Sequence, residues 1–225
     1  MIKAIIFDLD GTLIDFMRIK RICCSAAISA MIGAGLCIEK KKALKILFQL
    51  YDEYGLEYQK IFQQFLRKTE GKINYKILAK GIIAYRKVRD SLMEPYPKTR
   101  TTLLKLSRKG YKLGIVTDAP RLKAWLRLAG THLDDFFDVV IAFEDTKQLK
   151  PGKMPFKAAL KKLKVRPKEV LMVGDNIKRD IKGAKKLGMK TCFAKYGNIK
   201  VKQAKQADFE ISKIEELLRV VKKLE

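Results

Sequence analysis

Histidine is almost missing from this chain of 225 residues, with His132 the only one. Cysteine is sparse as well: Cys23, Cys24, Cys37 and Cys192 are the full set, and no two form a C-x-x-C pair. Without clustered thiols or imidazoles a zinc site has no ligands, and the cysteines are expected as buried free thiols. No apolar run approaches the ~20 residues that would span a bilayer. The apolar start is interrupted by Asp8 and Asp10 and lacks a small-residue cleavage site, so it does not read as a secretion signal. The expected setting is therefore cytoplasmic, with no membrane partner. Acidic residues are also in short supply: 24 Asp+Glu stand against 49 Lys+Arg, a formal net charge of +25. Such a field attracts anions, whether nucleic acid, acidic lipid or phosphorylated metabolites. The basic residues are dispersed, however, in short clusters such as Lys40-Lys41-Lys42, Lys161-Lys162 and Lys185-Lys186. These sit in helical patterns and read as solvated faces, so nucleic acid is not the expected partner.

What is present is a chain with 48% apolar residues, enough for a folded core. The run Ile2 to Phe7 reads as a buried strand and is cut off by Asp8-Leu9-Asp10-Gly11-Thr12. Helical patterns follow for about eighty residues, too long and too regular for a loop. They cover Arg18 to Leu36, Ala43 to Tyr54, Leu56 to Lys68 and Leu78 to Leu92. Pro95-Tyr96-Pro97 is a stiff connector. Strands and helices then alternate. Strands are predicted at Lys112–Thr117, Asp138–Phe143, Val170–Val173, Lys190–Ala194 and Phe209–Ile211. The helices between and after them are Lys98–Lys109, Pro120 to Ala129, Pro155 to Lys164, Ile177–Leu187 and Ile214–Leu224. This β-α-β alternation predicts an α/β fold, a Rossmann-like parallel sheet core with an inserted α-helical cap domain. The core is read as residues 1–13 and 95–225 and the cap as residues 14–94. His132 falls past the end of the Pro120 helix and reads as a surface residue, while Trp125 and the aromatics at helical spacing read as packing residues.

Ligands of such sheets bind at the carboxyl ends of the strands, where this chain places Asp8, Asp10, Thr117, Asp118 and Asp175. Two acids one residue apart at a strand tip repel each other unless a cation offsets them. An EF-hand does not fit, because Gly11 falls too early and the acids follow a strand.

Four pieces fall in order: Asp8-x-Asp10-Gly-Thr12, Thr117, Lys150-Pro151, and Gly174-Asp175-Asn176 with Asp180. In this order and strand context the set resembles the haloacid dehalogenase superfamily, in its phosphatase branch with a helical cap inserted after the first motif. The resemblance spans nearly the whole chain and implies a magnesium-dependent phosphatase acting on a small phosphorylated metabolite through an aspartyl-phosphate. The residues suit the parts this chemistry needs: an in-line nucleophile, charge neutralisation and a proton for the leaving oxygen. Asp8 would be the nucleophile, and Asp10 would give a proton to the leaving alkoxide and take one from water. Asp8 and Asp175 would hold Mg2+, with the backbone carbonyl of Asp10 as a further ligand by family resemblance. Asp180 would orient the metal's water shell, with the Thr12 hydroxyl beside it. Thr117 and Lys150 would clasp the phosphoryl oxygens, and backbone N–H groups near Leu9 and Asp118 would add to that cradle. Lys150 would also offset the crowded carboxylates.

Family members often carry Asn after the Ser or Thr of the second motif, whereas this chain has Asp118. An extra acid there opposes phosphate binding unless it turns away or pairs with a basic side chain. Arg18 and Arg21, near the first hinge, are candidates to meet an anionic substrate. A phosphomutase of the same superfamily and a non-catalytic anion- or nucleic-acid-binding protein on this fold stay open as alternatives. So does the choice between monomer and homodimer.

Overall fold

A computed structural model of the chain describes residues 1–198, 201 and 204–225. Strand β1 (Ala4–Phe7) has no solvent-exposed residue. Such a continuous apolar run is covered on both faces. Ala4 and Ile6 join Phe156, Ala159 and Leu163 in one core cluster. Phe7, on the alternate face, meets Phe137 edge-on at 6.3 Å. After β1 come helices α1 (Phe16–Gly33), α2 (Lys40–Tyr54), α3 (Ile61–Glu70), α4 (Tyr75–Ser91) and α5 (Thr99–Arg108). Next are β2 (Lys112–Val116), α6 (Arg121–Gly130), β3 (Val139–Ile141), the single turn α7 (Phe143–Thr146), α8 (Lys153–Leu163) and β4 (Val170–Gly174). A π turn (Ile177–Ile181) leads into α9 (Lys182–Lys185), then β5 (Lys190–Ala194), a 3-10 turn (Lys195–Gly197), β6 (Phe209–Ile211) and α10 (Leu217–Lys222).

The six strands form one parallel sheet in the order β3-β2-β1-β4-β5-β6, the α/β architecture that the alternation predicts. Phe7 pairs with Ile115 of β2 on one side and Val173 of β4 on the other. Successive strands extend outward from β1 in one direction through β3, then in the other from β4. The carboxyl end of β1 is thus the point where strand order reverses, and the chain's motifs end up around it.

The chain divides into two compact units, Met1–Phe16 with Glu94–Glu225, and Met17–Met93. The first unit runs on to Phe16 because Ile14 bridges both Asp10 and Pro95, and the Tyr96 N–H donates to the Leu13 carbonyl at 2.9 Å. The second unit is helical with its own core, in which Ile28, Met31, Leu47, Phe65 and Leu66 are buried. Its helix ends are satisfied locally: the Glu39 carboxylate accepts the Lys41 and Lys42 N–H groups, and Asn74 accepts those of Lys76 and Ile77. Lys20 is buried inside this unit, donating to the Leu56 carbonyl at 2.9 Å with its ammonium 4.2 Å from the centre of the Tyr51 ring. Among the described residues no helix is long and apolar enough to cross a membrane.

Several local expectations change. Gly55 ends α2, and residues 56–60 form turns before α3 begins at Ile61, because the Tyr58 N–H closes back on the Gly55 carbonyl. Strand β3 is shorter than the apolar run at its end: Phe143 starts α7, whose entry is held by the Asp145 carboxylate accepting the Ala142 N–H at 2.9 Å. Cys23, Cys24 and Cys192 are buried free thiols, but Cys37 is exposed on the link between α1 and α2. His132 is exposed, as expected, with φ 52°.

Trp125 is not a packing residue. Helix α6 carries two stripes at helical spacing, Leu122-Trp125-Leu126 and Ala124-Arg127-Leu128, and apolarity favours the first. The structure buries the second and leaves Trp125 43% exposed. Replacing Trp125 with Gln is therefore expected to move the free energy of unfolding by no more than about 0.5 kcal/mol. Leu128→Ala should cost about 2–5 kcal/mol, and urea denaturation of the two variants measures the difference.

Candidate active site

Asp8 follows directly on β1, its N–H donating to the Val173 carbonyl of β4 at 2.9 Å, which fixes the acid against the neighbouring strand. Its carboxylate is 3% exposed and meets Lys150 Nζ through Oδ1 at 2.7 Å. The same ammonium lies 2.6 Å from Asp180 Oδ1. Asp180 Oδ2 accepts the Asn176 N–H at 3.0 Å. The π turn after β4 makes this geometry: its widened backbone turns the Asp180 side chain inward, where a regular helix was expected. Asp8, Asp175 and Asp180 each bring a carboxylate oxygen within 4.8 Å of the other two.

The charges in this cluster do not balance. Burial alone would pull the Lys150 ammonium down, but Asp180, Asp8 and Asp118 outweigh it and hold its pKa above the ordinary lysine value. Burial pushes the Asp175 carboxyl up to about 8, and Asp8 and Asp180 add to the rise. Asp180 is also raised, first by burial and then by Asp8, although Lys150 pulls the other way. Burial together with the neighbouring carboxylate of Asp8 outweighs the Lys150 ammonium and the Arg179 guanidinium, so Asp180 stays high despite its short ion pair. Asp175 Oδ1 is buried with no hydrogen-bond partner among the described residues. An all-oxygen donor set with excess negative charge and an orphaned carboxylate oxygen fits a hard divalent cation.

Asp10 lies apart from this cluster. Its Oδ2 is 2.7 Å from Nη1 of Arg127, a residue of α6 that belongs to none of the four motifs. The two acids of the first motif thus have different basic partners on different elements. Thr117 follows directly on β2, and its Oγ1 accepts the Ala119 N–H at 3.1 Å. Thr12 is fully buried, and its hydroxyl has no hydrogen-bond partner.

Asp118 is fully engaged. Its Oδ1 accepts the Lys150 backbone N–H at 2.8 Å and its Oδ2 pairs with Arg179 Nη1 at 3.2 Å. The extra acid is therefore offset by an arginine and used to fasten the Lys150 loop. Arg18 and Arg21 are exposed on α1.

The segment after β5 was not anticipated at all. Tyr196 donates its hydroxyl to the Thr12 carbonyl at 2.7 Å, stacks edge-on against Tyr96 at 4.8 Å, and is followed by Asn198, whose Nδ2 donates to the Asp175 carbonyl at 3.3 Å. Between them Gly197 backs onto Gly11, so that a Cβ at 197 would collide with the Gly11 carbonyl oxygen. Gly11 itself has φ +86°, and a Cβ there would stand 2.5 Å from Asp175 Oδ2. The only hint in the sequence is that loops at the carboxyl ends of adjacent parallel strands converge.

The model of the haloacid dehalogenase-like hydrolases matches residues 5–194. The chain belongs to this family. It is 38% identical over 225 residues to a glyceraldehyde 3-phosphate phosphatase of Methanocaldococcus jannaschii, covering 100% of this chain and 99% of that one. A protein of the same name from Pyrococcus furiosus is 37% identical over 225 residues, 99% of this chain and 94% of its own. Among solved structures, a HAD phosphatase from Thermococcus onnurineus superposes with a TM-score of 0.70 at 29% identity, with 98% of each chain covered.

The carboxylate excess predicts a pH-dependent stability. Asp175 has a folded pKa of about 8 against an ordinary 3.8, so between these values the folded state keeps a proton that the unfolded chain gives up. Stability is then highest in acid and falls as pH rises toward 8. In EDTA the unfolding temperature should drop between about pH 5 and pH 8. Millimolar Mg2+ should raise it, and by more at the higher pH, where proton competition is weaker. Thermal melts with and without Mg2+ read both effects.

Proposed function

We propose that this protein is a magnesium-dependent phosphatase that hydrolyses a triose phosphate, glyceraldehyde 3-phosphate, through a phosphorylated Asp8. It is a hydrolase of the haloacid dehalogenase-like family, and its relatives over nearly the entire chain are named phosphatases. The observation that carries the site reading is the Lys150 ammonium, fixed between Asp8 and Asp180 while Asp175 Oδ1 stays without a partner.

In this reading Lys150 orients Asp8, which attacks phosphorus through the carboxylate oxygen that the lysine does not hold. The bond from phosphorus to the leaving oxygen breaks as the bond to Asp8 forms, and Asp10 protonates the departing oxygen. Water then adds to phosphorus, Asp10 takes its proton, and phosphate leaves Asp8 as a free carboxylate. Thr117 and Lys150 hold the equatorial phosphoryl oxygens, with backbone N–H groups near Leu9 and Asp118. Asp8 and Asp175 would hold Mg2+, together with the Asp10 carbonyl, and Asp180 would steady it through Lys150 and Asn176. The ion, when bound, supplies positive charge against the phosphoryl group. Asp118 contributes through its backbone and its grip on the Lys150 loop, not through its carboxylate. The helical unit, which leaves the core after Phe16 and returns at Glu94 on either side of the Ile14–Pro95 bridge, serves as the cap that selects the substrate.

A screen of purified protein with Mg2+ against glyceraldehyde 3-phosphate, pyrophosphate, a hexose phosphate and random duplex DNA tests the reading. Phosphate release should be fastest from glyceraldehyde 3-phosphate. Asp8→Asn should abolish turnover of every substrate while leaving the fold intact; retained activity would remove Asp8 from the role of nucleophile.

A further inference from the structure

Arg127 stands on the inner stripe of α6, where its neighbours Ala124 and Leu128 are fully buried, and is itself only 5% exposed. Burying a guanidinium gives up hydration and rotamer freedom, and an aliphatic side chain would fill such a position at lower cost. Contacts with the chain's first turn help repay it. Nη1 lies 2.7 Å from Asp10 Oδ2, and the guanidinium carbon lies 4.1 Å from the centre of the Phe16 ring. Both partners belong to the turn that leaves β1 (Asp10 within it, Phe16 at its end). The ring fixes the plane of the guanidinium, and the rigid fork of N–H donors then fixes the direction from which Asp10 is held. A lysine or an apolar residue would supply neither constraint.

Orientation of this carboxyl group matters for a definite reason. When Asp8 attacks phosphorus, the bond to the leaving oxygen breaks and the proton on Asp10 passes to that oxygen. When water later attacks the aspartyl-phosphate, one water proton returns to Asp10 and Asp8 departs as a carboxylate. The Arg127 N–H donates to Asp10 Oδ2, so the carboxyl group is held from the α6 side. We propose that Arg127 is the positioning residue that orients the Asp10 carboxyl group for proton transfer to the leaving group, so that the enzyme's capacity for substrates with poor leaving groups depends on it. The inference rests on the reading of Asp10 as the proton donor.

The contrast between leaving groups provides the test. An alkoxide is a poor leaving group and needs the proton, whereas para-nitrophenolate departs without one. In Arg127→Met, kcat/KM for glycerol phosphate should fall on the order of a hundredfold, the usual contribution of general acid catalysis. For para-nitrophenyl phosphate, kcat/KM should fall less than about tenfold, because this ratio reports only steps up to release of the first product. Its kcat should drop further, with a burst of one nitrophenolate per active site, because return of a proton to Asp10 is slowed. Arg127→Lys keeps a cation near Oδ2 but loses the stacked plane, and should restore part of the lost selectivity. A purely structural role for Arg127 predicts equal losses on both substrates, and that result, or no loss on either, overturns the proposal. If Arg127→Met does not fold, Arg127→Lys decides by the same comparison, with a smaller loss in the same direction expected.

Asp10→Asn, measured alongside, separates the two levels of the argument. Selective loss on glycerol phosphate supports Asp10 as the donor. If Asp10→Asn is selective and neither Arg127 variant is, only the role of Arg127 falls. If Asp10→Asn loses both substrates alike, the reading of Asp10 falls and the inference with it.

Discussion

The site is organised by a single buried ammonium. Lys150 reaches between Asp8 at the end of β1 and Asp180 in the turn after β4, two carboxylates that would otherwise repel each other at the reversal point of the sheet. Removing either partner of such a buried pair typically costs about 3–5 kcal/mol, because the charge left behind has no water to turn to. Three further polar contacts keep this lysine and its partners in place. Asp118 holds its backbone N–H, Arg179 neutralises Asp118, and the Asn176 N–H occupies the second oxygen of Asp180. The arrangement stops short of balance, and the consequence falls on Asp175, whose carboxyl is pushed by burial and by Asp8 and Asp180 to keep its proton up to about pH 8. Folding therefore leaves a deficit of positive charge at the location where a cation and a phosphoryl group would meet.

The same logic separates the two acids of the first motif. Asp8 is buried and tied to an ammonium, whereas the Asp10 side chain is 25% exposed and tied to a guanidinium of α6. Residues only two apart in the chain thus have different basic partners. On the proposed reading, that difference would suit one to attack and the other to carry a proton.

Much of the fold could be read from the sequence, because its strongest signals are local. Ile2 to Phe7 and Val170–Val173 are unbroken apolar runs with turn residues at their ends, and a run of that kind has few alternatives to a central parallel strand. Asp8, Asp10 and Asp175 were also legible as a group, since they follow strands whose tips converge, and Lys150 and Asp180 joined them through the order of the motifs. Their partners were not. Arg127 is one of 49 basic residues, on a helix whose more apolar stripe faces solvent, and its burial makes sense only beside partners distant in sequence, Asp10 and Phe16 among them. Arg179 and Tyr196 act across 61 and 184 residues of sequence, so no local spacing carries them. The π turn was read as an ordinary helix because periodicity does not register one extra residue in a turn.

Where Gly197 meets Gly11, the floor of the site is made of peptide units pressed against peptide units. Side chains around it can be exchanged and can retune charge, but none of them determines how far apart these two segments sit. The spacing of the segments that follow β1 and β5 is therefore set by backbone against backbone. Substitutions around them can retune charge and leave that spacing in place, whereas any side chain at either glycine would have to push one segment off its neighbour.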